Sequence, residues 1–177
     1  MEKIGLIYSF NTNKTSQAAK KIGAELGDKA VHINAETITE KEFLSYKNLI
    51  LGVPTWFDGE LPNYWDEFVP ALEDVNLKGK TVAVFGNGNQ RGYPENFVDG
   101  IGIMADLLEG RGARIIGLTP VKGYEFENSR AVRGDQFCGL ALDFENQASQ
   151  INGKIKKWAE QVKKEFGEEN KKAGSRQ

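Results

Sequence analysis

Cysteine occurs once in the 177 residues, and so does histidine. One cysteine excludes an internal disulfide and any multi-cysteine metal cluster held within the chain. One histidine leaves His-rich metal sites and His-dependent catalytic dyads little to work with. No run of about 18 apolar residues occurs, so no segment reads as a membrane span. The opening residues run straight into a strand-like segment, Lys3 to Tyr8, with no charged region followed by a long apolar stretch. No secretory signal is therefore expected, and the cytoplasm is the expected compartment. Excess charge is missing too: 23 Lys and Arg against 25 Asp and Glu leave −2. Phosphate neutralisation needs a basic face, so nucleic acid is not expected as a main partner. Internal repeats are absent.

What is present alternates short apolar runs with amphipathic segments. Ile4–Tyr8 reads as a buried strand. Ala18, Ala19, Ile22 and Leu26 recur at helical spacing, with Gly27 at the C-cap. Residues 30–33 read as a second strand, and Thr39 to Glu42 as a capping box opening a short helix. Residues 49–53 give a third strand stopped by Pro54, and 63–72 a helix that Pro70 should distort or end. A fourth strand spans 81–86. Ile101, Met104, Ala105 and Leu108 mark a helix closed near Gly110 or Gly112, and 115–118 a fifth strand. Ile151, Ile155, Trp158, Ala159 and Val162 form the clearest amphipathic helix. This rhythm implies a parallel sheet with helices on both faces, a three-layer α-β-α sandwich. Residues 119–139 break the rhythm and read as an insertion that splits or follows the last strand. One domain over residues 1–166 is expected, followed by a polar tail, 167–177, that frays. Cys138 and Trp158 read as core, and His32 as a half-exposed strand residue.

In an open parallel sheet, ligands bind outside the carboxyl ends of the strands. The loop after the first strand is Ser9, Phe10, Asn11, Thr12, Asn13, Lys14, Thr15. It is dense in hydroxyls and amides, carries no carboxylate, and leads into a helix. Its N–H groups suit a phosphate; the same residues also suit a plain N-capping turn. Paired glycines are missing, so it is neither a P-loop nor a dinucleotide fingerprint. The loop after the third strand, Pro54, Thr55, Trp56, Phe57, Asp58, Gly59 and on to Pro62, offers two adjacent aromatics for stacking, unless they fold back under the next helix. The loop after the fourth strand runs from Asn87, Gly88 and Asn89 through Tyr93 to Asn96 and Phe97, again pairing amides with an aromatic. One phosphate cradle and two flat aromatic surfaces describe a mononucleotide with a large planar ring. A nucleophile–base pair, paired carboxylates and a metal cluster are not among the motifs.

These residues resemble the long-chain flavodoxins from about Lys3 to Phe166. Pro54-Thr55-Trp56 with Gly59-Glu60-Leu61 is similar to that family's first aromatic loop. Phe85 to Gln90, with Gly92-Tyr93 and Asn96-Phe97, is similar to its second. The stretch from Gly123-Tyr124 through Gly139 to Asp143 resembles the segment that separates long from short members. In the family's phosphate loop, Thr12, Lys14 and Thr15 match. Phe10 stands where a hydroxyl is usual, and Asn13 where glycine is usual, a residue that tolerates left-handed backbone. Asn89 stands where aspartate is usual, and Asp58 where an uncharged residue often is.

The resemblance implies a five-stranded sheet of order 2-1-3-4-5 and one non-covalently bound FMN sandwiched by Trp56 and Tyr93. It implies a low-potential one-electron carrier that works through a neutral semiquinone, with the Phe57–Asp58 carbonyl accepting the flavin N5 proton. Glu145 would reach the ribityl chain. Partners would be a flavodoxin/ferredoxin reductase and low-potential oxidoreductases docking transiently on a monomer. The alternative is a flavodoxin-like NAD(P)H:quinone reductase.

Overall fold

The computed structural model describes residues 2–175. The sheet is built on β1 (Ile4–Tyr8), buried at every position and paired in parallel with β2 (Ala30–Asn34) and β3 (Asn48–Gly52). β4 (Thr81–Asn87) continues it on the β3 side, followed by β5 (Arg114–Ile116), in the order β2-β1-β3-β4-β5. Strands covered on both faces read as unbroken apolar runs, which is why these were visible in the sequence. One face packs on α2 (Glu40–Leu44), α3 (Asn63–Phe68) and α4 (Asp99–Gly110), through Phe43, Trp65, Phe68, Ile101, Met104 and Leu108. The other packs on α1 (Lys14–Leu26) and α5 (Ile151–Ser175), through Ile22, Leu26, Ile155, Trp158 and Phe166. Thr39 caps α2, its hydroxyl accepting from the Glu42 N–H at 3.1 Å.

The fifth strand is the main departure from an even alternation. The spacing predicts a strand over 115–118, but β5 stops at Ile116. Gly117 turns the chain out with a positive φ of 78°. The chain then forms a small antiparallel sheet of β6 (Thr119–Pro120), β7 (Val132–Arg133) and β8 (Gln136–Phe137). It returns as β9 (Leu140–Leu142), which pairs in parallel with the second half of β4. The insertion therefore splits the last strand instead of following it.

Of two further helix ends, one follows expectation and one departs from it. α3 is α-helical only to Phe68 and tightens to a 3₁₀ turn over Val69–Leu72. Pro70 has no N–H to continue the α ladder. The residues read as a fraying tail from 167 onward stay helical in α5 as far as Ser175. Lys and Glu propagate helix well, and two carboxylates tie the second half of α5 to β5 and the turn after it. Arg114 pairs with Glu169 at 3.0 Å, and the Glu165 carboxylate accepts from the Gly117 N–H at 2.8 Å. Arg176 and Gln177 lie outside the described residues. Cys138 and Trp158 are buried, and His32 is an exposed strand residue whose Nδ1 lies 2.8 Å from the Tyr8 hydroxyl.

Candidate functional site

At the carboxyl ends of β1, β3 and β4, three loops meet. The first turns at Ser9, whose carbonyl accepts from both the N–H (3.3 Å) and the hydroxyl (2.7 Å) of Thr12. The first internal bond of α1 runs from Gln17 N–H to Asn13 C=O at 3.0 Å. The N–H groups of Lys14, Thr15 and Ser16 precede it and have no helical acceptor, as at any helix start. Asn13 provides no side-chain cap; its amide oxygen instead accepts from Gln17 at 2.8 Å. Its backbone is right-handed, φ −89° and ψ −69°. The left-handed geometry that made a glycine-like residue desirable is thus not used here. Phe10 is 47% exposed and tilts against the Tyr8 ring at 5.0 Å. Thr15 is buried, and its hydroxyl donates to the Asn87 side-chain oxygen at 2.7 Å, tying this loop to the end of β4.

The second loop closes on itself. Trp56 and Glu60 exchange both backbone bonds, at 2.8 and 2.7 Å. To make that tight a turn, Phe57 takes a φ of 49° and Gly59 one of 91°. A Cβ on Gly59 would stand 2.5 Å from a carboxylate oxygen of Asp99. Pro54 is buried, and the Thr55 hydroxyl accepts from the Gly100 N–H at 2.9 Å, anchoring the loop to α4. Trp56 is half-buried edge-on against Tyr64 at 6.0 Å, whereas Phe57 is 73% exposed and Asp58 is exposed.

The third loop is organised by Asn89. Its side-chain oxygen accepts from Gly92 N–H (2.7 Å), Arg91 N–H (3.2 Å) and the Asn146 amide (2.8 Å). Its carbonyl accepts from Tyr93 N–H at 2.9 Å. Tyr93 is thereby presented to solvent, 61% exposed. Beneath lies Asp143, fully buried, whose carboxylate accepts from Gln90 N–H (3.0 Å), the Gln90 amide (2.8 Å) and both the N–H (3.0 Å) and the amide (2.9 Å) of Asn146.

Between the second and third loops is a cleft of about 340 Å³, with Trp56 and Phe57 on one side, Tyr93 on the other, and Thr55, Gly88, Asn89, Asn96, Phe97 and Val98 between. Phe97 lines it but is buried, its ring packed with Tyr124 (5.8 Å), Phe126 (5.3 Å) and Phe137 (5.9 Å) of the insertion. Glu145 forms an ion pair with Lys14.

Sequence reasoning did not assign roles to Asp143, Asn146, Asp99 or Val98. A carboxylate directly ending the apolar run Leu140-Ala141-Leu142 was a signal for Asp143. Val98 gave none, because a β-branched residue at a φ of 48° is an outlier only tertiary structure can hold. Asp99 Oδ1 accepts from the Arg130 N–H at 2.8 Å. Burial raises its carboxyl above the usual carboxylate range, with the Arg130 N–H and charge pulling the other way. Among the described residues no group of three or more His, Cys, Asp or Glu is placed to hold a metal, and no helix is long and apolar enough to cross a membrane.

The flavodoxin family model matches residues 6–158. The chain belongs to the flavodoxin family. A flavodoxin of Klebsiella pneumoniae is 44% identical over 173 residues, covering 93% of this chain and 98% of that one. A Nostoc flavodoxin is 42% identical over 167 residues, covering 94% and 98%. Among solved structures, Fusobacterium nucleatum flavodoxin bound to flavin mononucleotide superposes with a TM-score of 0.88 at 33% identity, covering 93% of this chain and 99% of that one. Oxidised Flavodoxin 2 of Bacillus cereus follows at 0.70 and 28%, covering 93% and 99%.

Proposed function

We propose that this flavodoxin binds one FMN without covalent attachment and carries single electrons between redox enzymes, turning over no substrate of its own. The observation that carries this reading is the coupling of two features by the Thr15–Asn87 bond. One is an uncapped helix start; the other is an aromatic cleft. The Lys14, Thr15 and Ser16 N–H groups and the positive end of α1 suit a phosphate monoester. The Trp56 and Tyr93 rings suit the two faces of a planar heterocycle. The residues present therefore fit the cofactor, which when bound supplies one-electron redox chemistry.

The chain's own contributions are positional and electrostatic. Phe57 and Gly59, both at positive φ, bracket Asp58. The Phe57 carbonyl is the acceptor we assign to a proton-bearing nitrogen at the ring edge. Asp58, exposed on the same turn, opposes negative charge accumulating there. The exposed rings of Phe57 and Tyr93 form the surface on which a reductase or a low-potential oxidoreductase docks transiently with the monomer.

Titrating FMN into flavin-free protein should quench FMN fluorescence at one equivalent, and potentiometry of the complex should resolve two one-electron steps. A reductase would instead oxidise NADH or NADPH steadily in the presence of a quinone. Such turnover, or the absence of flavin binding, would overturn the reading.

A further inference from the structure

Two carboxylates reach into the first loop from the loops flanking it. Glu36, after β2, takes the Asn11 amide, and Glu145, after β9, takes the Lys14 ammonium. Lys14 is the only charged residue between Ser9 and Thr15, so Glu145 cancels the sole cation of that segment. The pair is not locked in place: the two side chains are 39% and 38% exposed. Water can take over either partner at little cost, and exposed pairs of this kind hold together weakly. A phosphate group arriving at the start of α1 therefore meets a rim with no net positive charge. To gain the ammonium it must draw Lys14 away from Glu145, and it then faces the carboxylate left behind.

We infer that Glu145 sets the phosphate affinity of the cradle, cancelling the charge of Lys14 so that any phosphate, free or esterified, is held weakly by the helix start alone. Only a ligand that also brings a ring to Trp56 and Tyr93 then binds tightly. This rests on the FMN reading above. In chemical terms, Glu145 lowers the affinity of the helix start for phosphate monoesters and inorganic phosphate alike. Binding energy is thereby shifted onto the aromatic cleft, where a bare phosphate has nothing to offer.

The test compares wild type, Glu145→Gln, Lys14→Met and the double variant as flavin-free proteins at low ionic strength. Each is titrated with FMN, riboflavin and inorganic phosphate by fluorescence and calorimetry. Glu36 is common to all four, so the charge that varies is that of the Lys14 and Glu145 positions: zero in wild type and in the double variant, positive in Glu145→Gln and negative in Lys14→Met. FMN and phosphate affinity should therefore rise about three- to tenfold in Glu145→Gln, fall by a similar factor in Lys14→Met, and return near wild type in the double variant. Riboflavin, which lacks the phosphate, should bind all four alike. If FMN binds wild type but Glu145→Gln binds it equally or more weakly, the inference fails while the FMN reading stands. If wild type binds neither flavin, the FMN reading itself fails.

Discussion

Asp58 and Asn89 have exchanged charge character relative to the pattern the chain resembles. Asn89 still builds its turn, because the three contacts on its side-chain oxygen need an acceptor and not a charge. Asp58 places the carboxylate on the opposite loop, in solvent. Replacing Asp58 by Asn should raise the lower of the two potentials by tens of millivolts; an unchanged potentiometric trace would remove the electrostatic role given to it. Asp99 behaves in the opposite sense to a salt-bridged carboxylate. Its folded carboxyl holds a proton at pH values where the unfolded chain has released it. The stability it contributes is therefore greatest in acid and drains away as pH climbs from the ordinary carboxylate range to the raised folded value. Asp99→Asn keeps an acceptor for the Arg130 N–H, so it should melt higher than wild type at neutral pH, with the gap closing as pH falls. A gap that is constant with pH would contradict this. Cys138 is buried, and burial pushes its thiol up to about 11. A thiol-reactive disulfide reagent at neutral pH should label it only at the rate of unfolding, and rapid labelling of native protein would show the site to be open.

At the scale of elements, the second loop is the most constrained piece of backbone. Gly59 combines a φ of 91° with the 2.5 Å approach that a Cβ would make to Asp99. Gly59→Ala should cost about 1–3 kcal/mol in urea unfolding and weaken FMN binding, because the turn that carries Phe57 and Asp58 must open. Stability within 0.5 kcal/mol of wild type, about the range of an ordinary surface change, would show the loop to be softer than its geometry indicates. The strands and most helices were legible in the sequence because burial on one or two faces writes itself into periodicity. Thr39 was legible because a cap is a local contact. Asn13 was misread because the family's glycine invited a conformation this loop does not need. Neither Gly117, where β5 ends early, nor Val98, at the start of α4, could be read locally. Each is held by partners far away in the chain, Gly117 by Glu165 and Trp158, and Val98 by the loops around the cleft. The three loops were legible as polar and aromatic segments at one edge of the sheet, whereas the buried carboxylate bracing the third, Asp143, has its partners on two different loops.

At the scale of the whole molecule, the insertion is docked on α4 and on the back of the cleft. Gly102 allows this approach: a Cβ there would lie 2.2 Å from the Arg130 carbonyl. Arg133 clamps the same face through Asp106 at 2.9 Å and Glu109 at 3.1 Å. Gly102→Ala should therefore lift the insertion, seen as faster amide exchange over residues 124–137 with α1 and α5 unaffected; uniform loss of protection would mean the insertion has no separate stability.

The split strand also sets the terms on which the insertion could be removed. Ile116 sits opposite Ala83 and Leu140 opposite Phe85, so a single residue facing Val84 would join the two halves in register. Glycines already stand at both cut points, Gly117 and Gly139, with a Cβ on the latter only 2.2 Å from the Val84 carbonyl. A shortened chain reading Ile116-Gly-Leu140 would close the sheet without a gap. It would leave Phe97 uncovered behind the flavin cleft, and there a suture of the backbone would have to be matched by a polar replacement on the newly bared face.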